Sequence, residues 1–117
     1  MTQHDDVARL RHMLEHAREA IEMLRGKSRH DLDANRMLNL ALVRLLEVVG
    51  EAAGRVTKST QDTLAGIPWS EVIGLRNRLI HGYDSVDLDI LWEIVTHDLP
   101  LLTAQLEKFL PPAPRNR

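Results

Sequence analysis

A chain of 117 residues with 44% apolar content supports one domain around one hydrophobic core. Fifteen basic against seventeen acidic residues leave a formal charge of −2, which excludes the general polyanion affinity of a basic domain. The lack of cysteine excludes disulfides, thiolate metal ligation and a cysteine nucleophile.

The aromatic residues are two Trp, one Tyr and one Phe, so Leu, Val, Ile and Ala must build the core, a palette suited to helix packing. The opening Met1-Thr2-Gln3-His4-Asp5-Asp6 lacks the basic-then-apolar order of a secretory signal, and no apolar run reaches membrane-spanning length. A cytoplasmic protein without membrane contact is expected.

Val7, Leu10, Leu14, Ala17, Ile21 and Leu24 recur at steps of three and four and predict a first amphipathic helix ending at Gly26. His12 and His16 have metal-ligand spacing but lie opposite this stripe, and no carboxylate–histidine constellation meets them, so a solvent face is expected and no metal or cofactor. Asp31 or Asp33 can cap a second, central helix carrying Leu38, Leu42, Leu45, Val49, Ala52 and Val56, with Gly50 and Gly54 placed to admit a close neighbour or to loosen its end. Arg44, Glu47, Glu51 and Arg55 form a charged ladder on one face of that helix.

Residues 57–67 read as a loop with room for one helical turn, and Pro68 opens a third helix running to His81 with Gly82 as its stop. Ser85 or Asp87 opens a fourth, whose stripe Leu88, Leu91, Val95, Leu99, Leu102, Leu106 and Phe109 keeps phase through a kink at Pro100. No strand pattern is visible. The sum is an all-α, antiparallel four- to five-helix bundle over residues 1–110, with 111–117 as a disordered tail.

The third helix breaks its own pattern. Trp69, Val72, Ile73, Leu79 and Ile80 define an apolar face with Arg76 at its centre, where a guanidinium is costly unless paired or beside a wet cleft. His81-Gly82 is also an ordinary helix end, with Tyr83 as the apolar contact that closes the cap. That reading leaves Arg76 unexplained. Trp69 and Trp92 read as core anchors, and His97, one turn after Glu93, as a surface or interface residue.

Arg76, four residues, His81, one residue and Tyr83 give the pattern R-x4-H-x-Y, with Asn77 after the arginine. Gly50-Glu51-Ala52-Ala53 precedes it, Pro68-Trp69 opens its helix, and Asp87-Leu88-Asp89-Ile90-Leu91-Trp92 comes after it. Over residues 47–110 this resembles the HepT-like branch of the HEPN superfamily. The resemblance implies a helical homodimer and a metal-independent endoribonuclease, the toxin of a type VII-like toxin–antitoxin pair. Its implied partner is an MntA-like minimal nucleotidyltransferase antitoxin that AMPylates Tyr83.

The residue types suit that chemistry. Metal-free RNA cleavage needs a base for the ribose 2′-hydroxyl, an acid for the leaving 5′-oxygen and positive charge on the phosphate. Histidine is the side chain suited to proton transfer near neutrality, which favours His81. Arg76 can fork two N–H groups onto phosphate oxygens. One chain brings a single motif histidine and a two-fold dimer would bring a second. Asn77 could orient His81 or bind phosphate, Tyr83 could contact RNA or accept a nucleotide, and Glu51 either orients Arg76 or belongs to the charged ladder. The rival reading is a non-catalytic helical subunit that docks a nucleotidyltransferase and helps hold its substrate.

Overall fold

The first-helix stripe is realised directly. In the computed structural model, which describes residues 3–81 and 85–112, helix α1 (Gln3–Leu24) buries Leu10, Met13, Leu14, Ala17, Ala20 and Leu24 on one face. Gly26 ends it at φ 75°, a left-handed turn that suits glycine. Gly82, Tyr83 and Asp84 lie outside the described residues, and so do residues 113–117 of the expected tail.

The expected second helix is two. Helix α2 (Arg29–Ala34) stops at Asn35, whose extended backbone starts α3 (Arg36–Gly54) and whose side-chain oxygen accepts from Leu38 N–H at 3.0 Å. Asparagine offers the backbone a local alternative to the helical ladder, so it breaks the run and caps the next helix. Asp31 sits inside α2, accepting from Ser28 N–H at 2.7 Å, instead of preceding it. Leu42, Val43, Leu46, Val49, Ala52 and Ala53 form the buried face of α3.

The 57–67 segment holds the short α4 (Lys58–Thr63). Asp6, only 1% exposed, accepts from Thr57 N–H at 3.0 Å and from the hydroxyls of Thr57 and Thr60, pinning α1 to the start of α4.

The expected third helix is corrected in two ways. It breaks at Gly74 into α5 (Trp69–Ile73) and α6 (Leu75–Leu79), and Ile80–His81 is not helical but forms β1, paired antiparallel with β2 (Ser85–Val86) in the register Ile80 to Val86 and His81 to Ser85. Its buried stripe is Val72, Leu75 and Leu79, while Ile73 is 43% exposed. Trp69 and Ile80 stay half-buried against the core, while Leu75 takes the buried place expected of Ile73. Arg76 is therefore at the surface and not at the centre of an apolar face.

Asp87 caps α7 (Leu88–Glu93), accepting from Ile90 N–H at 3.0 Å. A π turn over Ile94–Asp98 comes next, with Leu99 N–H donating to the Ile94 carbonyl, and α8 (Leu99–Phe109) continues with Pro100 in its first turn. The wide turn ends where proline can supply no N–H. Packing is led by α1 against α3 and α8, with α5 and α6 laid against α3 and α2 against α7. The result is an all-α bundle with the motif segment on one side of α3. Among the described residues no helix is long and apolar enough to cross a membrane.

Candidate functional site

Gly50 brings α3 against the end of α5, because a methyl group there would stand 3.1 Å from the Val72 carbonyl oxygen. This approach forms an open groove of about 550 Å³ lined by Glu47, Gly50, Glu51, Gly54, Arg55, Ile73, Arg76 and Asn77. Arg76, Asn77 and Glu51 of the predicted site thus share one groove. His81 is not among its lining residues.

Arg76 is exposed at 66% of its side chain, and its Nε donates to Glu47 Oε2 at 3.1 Å. Glu47, 21% exposed, also faces Arg44 Nη1 at 3.4 Å. The ladder expected along α3 is therefore half formed: Arg44 pairs with Glu47, while no ion pair joins Glu51 or Arg55 among the described residues. The partner of Arg76 is Glu47 and not Glu51.

His81 is exposed, and its Nε2 donates to the Arg78 carbonyl at 3.1 Å. A carbonyl only accepts, so Nε2 carries a proton and Nδ1 keeps a lone pair in the neutral ring. Arg78 points away from the groove, and its Nη1 donates to Asp98 Oδ2 at 3.1 Å at the rim of a second cavity of about 400 Å³. Sequence reading missed both Glu47 and Asp98 as partners. The only signal was their composition, since each pair joins residues 20 or more positions apart.

Comparison with known proteins decides the relationship. The family model described as "Ribonuclease HepT-like" matches residues 13–109. The chain belongs to the HepT-like ribonuclease family. It is similar to a candidate RNase of Methanocaldococcus jannaschii, 35% identical over 107 residues that cover 92% of this chain and 98% of that protein. It is also similar to a Thermococcus cleftensis protein named "Probable ribonuclease HepT", 34% identical over 99 residues covering 81% of this chain and 90% of that one. No solved structure matches the chain.

The remaining candidates of this HepT-like chain lie outside the groove. His16 Nδ1 donates to the His12 carbonyl at 2.8 Å, and the two rings meet edge to face at 6.2 Å. Trp69 and Trp92 are half-buried against the core, with Trp69 Nε1 donating to the Leu64 carbonyl at 3.1 Å. His97 is exposed beside Glu93, Nδ1 to Oε2 3.3 Å.

Proposed function

We propose that this HepT-like chain is a metal-independent endoribonuclease toxin that acts as a homodimer and is silenced by nucleotidyltransferase-catalysed AMPylation of Tyr83. The observation that carries the reading is Arg76. Its guanidinium stands at the surface of a groove beside Asn77 and Glu51, with one N–H spent on Glu47 and no second acceptor among the described residues. Four N–H groups remain for the oxygens of a phosphate.

In the proposed reaction the Nδ1 lone pair of His81 takes the ribose 2′-hydroxyl proton and the 2′-oxygen attacks phosphorus. The bond to the 5′-oxygen breaks, and that oxygen receives a proton from an imidazolium. Arg76 stabilises the charge on the pentavalent phosphate. The products are a 2′,3′-cyclic phosphate and a 5′-hydroxyl. A second copy of the chain supplies the second imidazole. The exposed face of α3 and the end of α5 support such pairing, since they present Met37 at 82%, Leu40 at 48% and Ile73 at 43% exposure in line with the groove. Light scattering should give a dimer at micromolar concentration, and a monomer would remove this part of the proposal.

The nucleotidyltransferase would transfer AMP from ATP to the Tyr83 oxygen, releasing pyrophosphate. The adduct puts negative charge and bulk two residues from His81, opposing RNA on both counts.

The test is cleavage of RNA by wild type, His81→Ala and Arg76→Ala with EDTA present. Both variants should lose activity, on the order of a hundred- to ten-thousandfold for the acid–base group alone. An RNA with hydrogen in place of the 2′-hydroxyl at the scission site should resist. Near-wild-type cleavage by His81→Ala, free of contaminating nuclease, would replace this reading with the docking-subunit one.

A further inference from the structure

Two arginines from different helices converge on one carboxylate: Arg44 of α3 reaches Glu47 Oε1 at 3.4 Å and Arg76 of α6 reaches Oε2 at 3.1 Å. The carboxylate is the most enclosed of the three groups, 21% exposed against 65% and 66% for the guanidinium side chains. An enclosed acceptor with an exposed donor is an anchor and an arm. We propose that Glu47 is the positioning residue for Arg76 in RNA cleavage, fixing the guanidinium through Nε so that its Nη1–Nη2 edge faces the phosphate. The proposal rests on the ribonuclease reading of the groove.

The choice of atom carries the argument. A carboxylate that took two terminal N–H groups would occupy the fork that suits a phosphate. Glu47 takes the single Nε–H and leaves that fork open. Charge matters equally. A lone Glu47–Arg76 pair would be neutral and a weak site for a polyanion. Arg44 on the second carboxylate oxygen restores a net charge of +1 to the group of three. Glu47 thus gives orientation without cancelling the field. Glu51, one turn further along α3, lines the same groove but makes no ion pair among the described residues, so it cannot supply this contact in its place.

An exposed arginine held at one point loses less freedom when it meets its ligand, and a misplacement of about 1 Å can cost roughly a hundredfold in rate. The effect should fall on kcat, because orientation matters most where charge develops in the transition state.

The experiment has two arms on the full chain. In the first, proton exchange of the Arg76 Nε–H is followed by NMR, with the signal assigned by its loss in Arg76→Lys. It should be slowed in wild type and at least several-fold faster in Glu47→Ala. In the second, steady-state cleavage of a short RNA should show kcat lowered ten- to a hundredfold in Glu47→Ala with KM within about threefold. Glu47→Gln, which keeps an acceptor for Nε–H, should recover much of that kcat. Unchanged exchange in Glu47→Ala would overturn the proposal whatever the activity. So would faster exchange with wild-type kcat, or a loss that tracks thermal stability and leaves the Gln variant as poor as Ala. A wild-type protein inert on RNA sinks the ribonuclease reading and the catalytic half of this proposal together, and the exchange arm still decides whether Glu47 fixes Arg76.

Discussion

Gly50 and the carbonyl of Val72 stand so close that a single methyl group on the glycine would lie 3.1 Å from the oxygen. The crossing of α3 and α5 depends on that missing side chain. Gly50→Val should lower stability by about 1–3 kcal/mol, the usual cost of overpacking a tight contact, read as a reduced urea midpoint. Because the crossing carries α6 over Glu47, the same substitution should disturb the Arg76–Glu47 pair. A variant as stable as wild type would show that α5 can yield without cost.

Asp6 should make the fold acid-sensitive. Burial raises its pKa, but the hydrogen bonds from Thr57 and Thr60 and the nearby charge of Arg9 outweigh this and hold the group below the ordinary carboxylate value of 3.8. A group lowered in the folded state stabilises the fold fully above its unfolded pKa. That contribution fades as pH falls through about 4 and is lost below the folded value. Asp6→Ala strands two hydroxyls and an amide and should cost about 2 kcal/mol at neutral pH. Chemical denaturation of Asp6→Asn between pH 3 and pH 7 should show a flatter profile than wild type. Parallel profiles would assign the acid sensitivity to another carboxylate.

The Arg78–Asp98 pair should contribute little to stability. Its side chains are 35% and 40% exposed, and pairs in such surroundings are typically worth about 0–1 kcal/mol. Asp98→Asn should therefore melt close to wild type while loosening the residue whose carbonyl receives His81 Nε2. A large loss of stability would mean that Asp98 supports the π turn itself.

Co-expression with a cognate nucleotidyltransferase should add one AMP to the peptide containing Tyr83, seen by intact-mass spectrometry and absent from Tyr83→Phe. An adduct that survives the substitution places the acceptor on another residue.

Much of the bundle is legible in the sequence because its signals are local. Leu10, Leu14 and Ala17 share a face by spacing alone, Gly26 carries the turn that its composition suggests, and Asp87 caps the helix it precedes. The motif helix misleads for an equally local reason. Ile73 and Ile80 look like core residues, yet Leu75 is the one buried at 3% exposure, and the β1–β2 pairing is too short to leave an alternation in the sequence. Asn35 is masked by Asp31 and Asp33, which offer earlier caps for the repeat that begins at Leu38. In the candidate site, Arg76 and Asn77 of the motif and Glu51 of the block before it line one groove, while His81 does not. Glu47 and Asp98 are not matched to their arginines, because ion pairs across the fold have no periodicity to betray them.

Among the described residues two pairs, Ile80 with Val86 and His81 with Ser85, join β1 to β2, supported by Asp87 N–H on the Leu79 carbonyl at 2.8 Å. So small a hairpin has little standing of its own, and local opening that leaves the helices intact is the expected behaviour of such an element. Protein in the open form presents His81 in no fixed direction. A ligand that needs the imidazole in place must therefore spend part of its interaction energy on closing the hairpin, and its apparent affinity is scaled by the closed fraction. Val86 and Ser85 thereby enter the binding constant through their pairing with Ile80 and His81.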